Sequence, residues 1–347
     1  MNLIEFNQNG IYCRQGDFYI DPWRPVNKAF ITHAHSDHGR WGMKHYIAEH
    51  LTARILKYRL SADIDIMGLS YGEVLNVNGV KVSFHPAGHI LGSAQIRLEY
   101  KGEVWVASGD YKTEDDGLSL PFEPIPCNAF ITESTFGLPI YHWQPQKAIF
   151  DDVNHWWASN VNQNKTSIIF GYALGKAQRI LQNLDLSIGP VFSHGAVDNL
   201  NRLFNDEGFK LPATTRVVPE MPKETFKNAI VIAPPSAINS PWLRRFEPYS
   251  LAIASGWMAL RGARRRRAAD RGFALSDHAD WQSLNQAIDA TGAECVYVTH
   301  GYTSVLARWL NEKGLDAKEV KTEYQGELSE IAESQSEDPQ DLEENSI

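Results

Sequence analysis

Four side chains that commonly bind metal ions lie within six residues of this chain, in the sequence His33-Ala-His35-Ser-Asp37-His38. They directly follow residues 29–32, an apolar run typical of a strand buried on both faces. Imidazole nitrogens and carboxylate oxygens together suit Zn²⁺ or Mn²⁺. The small residues between the ligands let the loop close tightly, so the first two ligands can hold one ion and the next two a second ion. The cluster therefore predicts a metal site at the end of a strand.

Other predicted strands end close to further candidate ligands. Apolar runs end just before Glu133 and His300, an alternating run precedes Asp110, and His89 lies in a loop of small residues. A carboxylate can bridge two ions, which makes Asp110 the candidate bridge. Two ions bridged in this way lie ~3.5–4 Å apart, the spacing of two-metal hydrolases. The sequence thus predicts two divalent metal ions, Zn²⁺, Mn²⁺ or both, as cofactors.

Composition limits the class of protein. The 347 residues, 43% of them hydrophobic, are enough for two packed domains. The net charge of −9 comes mainly from residues 326–347, which contain eight acidic residues and no Lys or Arg. The rest of the chain has 34 acidic and 33 basic residues and is therefore nearly neutral. We expect that tail to be disordered. The longest apolar run is about half of the ~20 residues needed to span a membrane, and the N-terminus lacks a signal-peptide pattern. Three widely spaced cysteines argue against disulfides, so we expect a cytoplasmic protein.

Periodicity indicates an α/β protein with an inserted unit. Residues from about 140 to 268 combine a helix pattern with three buried strand patterns, and they separate two segments rich in polar site residues. Helix patterns are found at residues 51–60, 145–159, 174–186, 281–290 and 304–313.

The ordered series HxHxDH, Gly-His89, Gly-Asp110 and His300 resembles the metallo-β-lactamase superfamily. The resemblance implies an αββα sandwich with two metals at one edge of its sheets. It implies that His33, His35 and His89 hold the first ion, that Asp37, His38 and His300 hold the second, and that Asp110 bridges them. Asp21, in Ile20-Asp21-Pro22, matches the acidic residue that orients the first histidines from behind. An Asx-Pro turn is the alternative role for Asp21.

Three further motifs are similar to those of the β-CASP nucleases within this superfamily. They are Thr-Glu133-Ser-Thr-Phe-Gly, Gly-Lys176-Ala-Gln and Ser-Asp-His278-Ala-Asp280. The whole-chain resemblance is strongest to the bacterial DNA-ligase-associated exonucleases. It implies a metallo-β-lactamase domain at residues 1–140 and 269–325, an inserted α/β β-CASP domain at residues 141–268 and a tail at residues 326–347.

This resemblance implies a metal-dependent DNA exonuclease that acts in the 5′-to-3′ direction in DNA repair. A helicase and an ATP-dependent DNA ligase are the implied protein partners, and nucleic acid is the substrate. Asp37 or Asp110 would orient the attacking hydroxide. His278, backed by Glu133, would protonate the leaving oxygen on the opposite side. The alternative for His278 is a merely structural place beside Asp280, which can cap the following helix.

Candidate contacts to nucleic acid come from two kinds of residue. Ser134, Thr135 and Ser276 are candidates to line a pocket for a terminal phosphate. The basic run contributes five guanidinium groups, which suit phosphate oxygens, although a solvated basic face explains any single one of them as well. These five residues are Arg261, Arg264, Arg265, Arg266 and Arg267.

Three other functions remain open. A histidine at position 300 is typical of β-CASP enzymes that act on RNA, whereas DNA-repair members often have valine there. An RNA nuclease, or an RNA 3′-end processing factor of the ribonuclease J type, is therefore the first alternative. A small-molecule metallohydrolase is the second, although such a substrate needs no inserted domain. A catalytically dead scaffold is the third, although no ligand position is lost here.

Overall fold

A computed structural model of the protein describes residues 3–260 and 269–323. The arginine run and the acidic tail identified in the sequence lie outside these residues. The chain divides into two compact units. Within the described residues, the first unit consists of residues 3–142 and 278–323, and the second of residues 143–260 and 269–277. The family-based domain divisions after residues 140, 268 and 325 stay predictions.

The elements are numbered along the chain. The first unit begins with β1 (Ile4–Asn7), β2 (Gly10–Cys13), β3 (Phe18–Ile20), β4 (Lys28–Ile31), β5 (His45–Glu49), α1 (His50–Arg59), β6 (Ile66–Leu69), β7 (Leu75–Val77), β8 (Val80–Pro86), β9 (Ala94–Tyr100), β10 (Glu103–Ala107) and β11 (Ala129–Ser134). The second unit contains α2 (Gln146–Asn162), β12 (Thr166–Phe170), α3 (Lys176–Gln182), β13 (Val191–Ser193), α4 (Gly195–Asp206), β14 (Thr215–Arg216), β15 (Ile230–Ala233), β16 (Tyr249–Ala254) and β17 (Arg271–Phe273). Its short 3₁₀ helices are Lys223–Phe226, Pro235–Ala237, Pro241–Phe246 and Gly256–Ala259. The first unit resumes with α5 (Trp281–Thr291), β18 (Cys295–Gly301), α6 (Thr303–Glu312) and β19 (Asp316–Glu319).

Two sheets share one hydrophobic core in the first unit. One has the strand order β1-β2-β3-β4-β5-β6, and the other has the order β19-β18-β11-β10-β9-β8-β7. Phe30 of the first sheet and Phe84 and Ile131 of the second lie in this shared core. Phe130 of β11 packs instead into a separate core with α5 and α6. Successive residues of β11 therefore face opposite cores, which explains why its sequence is apolar without alternation.

The second unit is built on a parallel sheet with the strand order β14-β13-β15-β12-β16-β17. Every paired strand in it runs parallel to its neighbour. Parallel strands place their carboxyl ends at one edge, and α3 and α4 begin shortly after the strands that end there. The predicted α/β class is thus confirmed in both units.

One predicted helix is wrong at both ends. The pattern at residues 174–186 predicted a helix, but α3 spans only Lys176–Gln182. Gly175 has a φ of 93°, outside the helical region. The Asp185 carboxylate accepts hydrogen bonds from the Ser187 backbone and hydroxyl, at 3.0 and 2.7 Å, and so forms a local turn in place of a further helical turn. Within the described residues, no helix is long and apolar enough to cross a membrane.

The cysteines of the described structure are free thiols, and burial controls their reactivity. Cys13 is fully buried, and this burial raises the pKa of its thiol to about 11. Because only the thiolate is nucleophilic, about one Cys13 side chain in a thousand is reactive at pH 8. We expect iodoacetamide at pH 8 to modify Cys13 roughly a hundredfold more slowly in the native protein than in guanidinium. Peptide-resolved mass spectrometry measures both rates, and equal rates would show that Cys13 is accessible.

Candidate metal centre and acid pair

The predicted metal ligands meet in the first unit, where each is carried by the loop or strand end that the sequence indicated. The histidine-rich loop follows β4, and Asp110 follows β10. His300 is the second-last residue of strand β18. All of these side chains are buried. Their ligand atoms form groups in which every atom lies within 4.8 Å of the others, and these groups include His33, His35 and His89; His33, His38 and Asp110; and Asp37, His38 and His300.

Distances inside these groups suit metal coordination. Nε2 of His89 lies 3.1 Å from Nδ1 of His35. Two nitrogens bound tetrahedrally to one Zn²⁺ at 2.0–2.1 Å lie about 3.4 Å apart, so both atoms can serve one ion. The first group therefore brings together the three histidines that the resemblance assigns to the first ion, at distances that one ion could bridge.

Asp110 lies between the two candidate ligand sets. Its Oδ2 is 3.7 Å from Nε2 of His33 and 3.5 Å from Nε2 of His38. Its Oδ1 is 3.6 Å from Nδ1 of His300. One oxygen faces histidines of both sets and the other faces the second set. This position fits a bridging carboxylate.

Buried polar atoms support the fit of metal ions. Nε2 of His33, Oδ1 of Asp37 and Oδ1 of Asp110 are inaccessible to solvent and make no hydrogen bond within the described residues. Leaving buried polar atoms without partners costs about 1–3 kcal/mol each. Cations held by these nitrogen and oxygen atoms would remove that cost. The donor set and the geometry thus fit divalent ions.

Asp21 contacts the centre from behind. The Nδ1–H of His38 donates to Oδ2 of Asp21 over 2.8 Å, and the Thr32 hydroxyl donates to the same oxygen over 2.5 Å. The backbone N–H of Thr32 donates to Oδ1 of Asp21 over 2.8 Å. Such a carboxylate fixes the ring orientation and tautomer of His38, leaving Nε2 to face the centre. These are the contacts expected of the role that the resemblance implies.

Electrostatics keep the two central aspartates ionised. Burial alone would raise the pKa of Asp110, but His38 and His300 outweigh it and hold the pKa well below its usual range. Burial likewise opposes ionisation of Asp37, and the nearby histidines His38, His300 and His35 together lower the pKa of Asp37. For His38, burial acts to lower the pKa, and the surrounding aspartates raise it well above its usual range.

Sequence reasoning did not identify several residues that hold the histidine-rich loop and the loop of His89. Arg59 of α1 donates to the carbonyl of Ala34 over 2.5 Å, and Arg40 donates to the carbonyl of Asp37 over 3.1 Å. The Ser93 hydroxyl accepts from the backbone N–H of His89 over 3.2 Å. Backbone carbonyls leave no pattern in the sequence, so only the fold could reveal the two arginine contacts.

Strained backbone presents the last ligand. His300 has a φ of 57°, in the left-handed region that non-glycine residues rarely adopt. Gly301 follows with a φ of 85°, and a Cβ at this position would lie 2.3 Å from the carbonyl oxygen of Ser134. Only glycine fits there. The Ser134 hydroxyl donates to the carbonyl of Thr299 over 3.1 Å and also contacts the carbonyl of His300.

A carboxylate and a histidine form a pair beside the metal ligands. Nδ1 of His278 lies 2.9 and 3.0 Å from the two carboxylate oxygens of Glu133. Glu133 also accepts the backbone N–H of Tyr111 over 2.8 Å. A second acceptor role fixes the carboxylate, and the carboxylate fixes the tautomer of His278 with a proton on Nδ1.

His278 also groups with His89 and Asp110 as a possible ligand set, so it is within reach of the centre. Asp280 caps α5 by accepting the backbone N–H of Ser283 over 2.8 Å. This is the capping contact on which the structural alternative for His278 depends.

The residues predicted to contact nucleic acid are not all described by the structure, and those that are described differ in their surroundings. Ser134 uses its hydroxyl within the first unit, as described above. The Thr135 hydroxyl is buried and has no hydrogen-bond partner within the described residues. Ser276 is buried in the second unit. The five arginines lie in the segment that the structure does not describe. The structure therefore brings the metal ligands together, while the nucleic-acid contacts stay predictions.

The second unit contains a buried ion cluster that the sequence did not reveal. Asp277 lies 3.3 Å from Nζ of Lys176 and 3.1 Å from Nη1 of Arg179. Lys176 is 0% and Arg179 2% exposed. Both cations come from the first turn of α3, in the Gly-Lys-Ala-Gln motif noted above and just beyond it. Both cations hold Asp277, which belongs to the Ser-Asp-His278-Ala-Asp280 motif identified in the sequence. That motif is the signal that could have drawn attention to the cluster.

Comparisons with known proteins bear on the family resemblance. No family model matches the chain. It is 32% identical over 323 residues to a probable DNA ligase of Opitutus terrae, which is 92% of this chain and 31% of that protein. It is 32% identical over 119 residues to the endoribonuclease YSH1 of Candida glabrata, 34% of this chain and 15% of that one. It is 28% identical over 166 residues to the cleavage and polyadenylation specificity factor 73 of Drosophila melanogaster, 46% of this chain and 24% of that protein.

The chain therefore spans a third or less of the length of these relatives. Among solved structures, a protein of unknown function from Enterococcus faecalis V583 has a TM-score of 0.55 at 13% identity, over 78% of this chain and 74% of that one. This likeness shows a shared fold alone. The long match to the Opitutus protein and the shorter matches to the eukaryotic factors support the resemblance to the β-CASP group of the metallo-β-lactamase superfamily.

Proposed function

We propose that the protein is a metal-dependent phosphodiesterase that hydrolyses nucleic acid, and specifically a DNA exonuclease of 5′-to-3′ polarity in DNA repair. One observation carries the proposal of phosphodiester hydrolysis. Two candidate ligand sets, with Asp110 between them, lie beside the His278–Glu133 pair in the same unit. Hydrolysis of a phosphodiester needs charge neutralisation on one side and a proton donor on the other, and this arrangement offers groups for both.

The residues divide the chemistry between them. The seven predicted ligands would hold divalent ions, which would supply charge neutralisation and a lowered pKa for water. Asp37 and Asp110 are ionised and can accept a hydrogen bond that orients the attacking water. His278 holds its Nδ1 proton against Glu133, so its Nε2 can carry the proton that the leaving oxygen needs. Asp21 keeps His38 in the tautomer that presents Nε2.

The choice of DNA rests on the long match to a protein named as a probable DNA ligase. The same match supports a DNA ligase as a partner of this chain. A place in the cytoplasm stays an expectation from the sequence. The implied helicase partner stays a prediction of the resemblance.

RNA is the alternative substrate, and two observations favour it. His300 is the residue typical of RNA enzymes at this position, and other relatives are named as an endoribonuclease and as cleavage and polyadenylation factors. A small-molecule substrate is the further alternative, with no particular observation in its favour.

We also propose how the family architecture maps onto the chain. In the first unit, two sheets pack together, α1 contacts β5 and β6 of one sheet, and α5 and α6 cover the outer face of the other. This layering supports the αββα sandwich. The parallel sheet of the second unit supports an inserted β-CASP domain.

The direct test is hydrolysis of single-stranded DNA and RNA of the same sequence, labelled at the 5′ or the 3′ end, with Mn²⁺ or Zn²⁺. We expect mononucleotides from the 5′ end of DNA, and we expect the double variant Asp37→Ala/His38→Ala to release none. Preferential cleavage of RNA would replace DNA by RNA as the substrate. Cleavage of neither polymer by protein that has bound metal would contradict the proposal and favour a small-molecule hydrolase.

A further inference from the structure

An exposed tryptophan lies at the tip of a turn that continues from the metal-binding loop. Trp41 is 62% exposed, the joint highest value among the large hydrophobic side chains described. It follows the candidate ligand His38 by three residues. Since consecutive Cα atoms are 3.8 Å apart, the Cα atoms of Trp41 and His38 are separated by at most ~11 Å. The indole is therefore at the margin of the candidate centre.

The turn that carries this indole is fixed on both sides. The hydroxyl of Tyr46 donates to the carbonyl of Arg40 over 2.9 Å and accepts the backbone N–H of Met43 over 3.0 Å. One buried phenol thus bridges the residues that flank Trp41-Gly42. Gly42 has a φ of 104°, and a Cβ there would lie 3.0 Å from Cγ of Pro25. The tight turn leaves Trp41 as the residue that projects to solvent.

The preceding residue ties this turn to the metal-binding loop and to its surroundings. The Arg40 guanidinium donates to the carbonyls of Asp37, Trp23 and Glu323 over 3.1, 3.4 and 2.9 Å. Three backbone acceptors on separate segments hold one side chain. An aromatic residue on such a fixed turn loses less conformational entropy when a ligand stacks on it than one on a mobile loop.

The residues nearest to Trp41 in the sequence favour an anionic partner. Residues 38–48 contain Arg40 and Lys44 and no acidic residue. Lys44 is exposed. Single-stranded nucleic acids bind proteins through aromatic rings that stack on bases and through basic groups that attract the backbone. A lone exposed tryptophan on a protein surface needs no explanation, but here rigidity, position and charge coincide.

We propose that Trp41 is a base-stacking subsite that receives a nucleobase of the polynucleotide next to the reactive phosphate. The inference rests on the proposed function, because it assumes that nucleic acid is the substrate. It assigns to Trp41 a binding role that does not read sequence, since every base has a face on which the indole can stack.

A binding cycle between the side chain and the base tests the subsite. The full chain, loaded with Mn²⁺, is titrated with labelled phosphorothioate oligodeoxynucleotides, which resist cleavage, in normal form and with abasic positions at the 5′ end. Fluorescence anisotropy gives the Kd. We expect Trp41→Ala to weaken binding of the normal strand by about five- to a hundredfold, and binding of the abasic strand by less than about twofold. The matched control is Trp309→Ala, which removes an indole that is 40% exposed on α6 of the same unit, and we expect it to change neither Kd.

Two results would overturn the subsite. One is an equal loss of affinity of Trp41→Ala for normal and abasic strands, which would show that the indole acts on the loop or the backbone. The other is unchanged binding of the normal strand. Failure of the proposed function is a separate result: wild-type protein that binds neither the normal nor the abasic strand, and cleaves no polymer, contradicts a nucleic-acid substrate itself.

Discussion

Replacing His278 by alanine is expected to lower hydrolysis of a DNA oligonucleotide by roughly 10²–10⁴-fold, the range that a lost general acid costs. The alkoxide that leaves from DNA is strongly basic and needs a proton. p-Nitrophenolate is a weak base and leaves without one. Hydrolysis of a p-nitrophenyl phosphodiester should therefore fall by less than about tenfold in the same variant. The ratio of the two rates is what identifies a proton donor.

Metal content must be measured in the same variant. His278 also lies within ligand distance of His89 and Asp110, so a loss of both activities with a loss of bound metal would mean that it is a ligand. Glu133→Gln should show the same dependence on the leaving group at smaller amplitude, because the amide orients the ring but stabilises its charge less. The control is His85→Ala, since His85 belongs to the same unit and contacts Ser83 and Glu123. Equal losses on both substrates with metal retained would refute the role of His278.

The sequence allowed the centre of the site to be predicted because its ligands are tied to strand ends. His33, Glu133 and His300 each follow or end a run of buried apolar residues, and the strands β4, β11 and β18 are found there. The strand interior must be apolar because both faces pack against apolar cores. A polar residue therefore marks the point where the strand leaves those cores. Candidate ligands can then be recognised from the residue types at these positions.

What supports the centre was not predictable in the same way. Arg59 holds the loop through the carbonyl of Ala34. A second unpredicted contact lies within the second unit, where α3 holds Asp277 from about a hundred residues away. Neither contact leaves a periodic or compositional signal, since each depends on where the fold brings two distant segments. Helix α4 was missed for a different reason. It begins with Gly195 and is rich in Asn and Asp, so its intrinsic propensity is low, and buried Val197, Leu200 and Phe204 stabilise it by packing.

Changing Asp110 to asparagine should lower both metal content and hydrolysis. The amide keeps the volume of the side chain but not its charge, and it is a poor bridge between two cations. Asp110 faces both candidate ligand sets, so its loss affects both. We expect inductively coupled plasma mass spectrometry to find two divalent ions per wild-type chain after dialysis, and one or none in Asp110→Asn. With ~4 kcal/mol of stabilisation lost, hydrolysis of both substrates should fall by at least roughly a thousandfold.

The dependence on the leaving group separates this variant from His278→Ala. Asp110 acts on the side of attack and charge neutralisation, so a better leaving group should not rescue Asp110→Asn as it rescues the loss of a proton donor. Asp116→Asn is the matched control, because it neutralises another buried aspartate of the same unit, one that accepts the backbone N–H groups of Leu118 and Ser119 over 2.9 and 2.7 Å. That control should retain two ions and its activity. Two tightly bound ions and undiminished hydrolysis in Asp110→Asn would instead show that the carboxylate is not the bridge, and that the two ligand sets bind their ions independently.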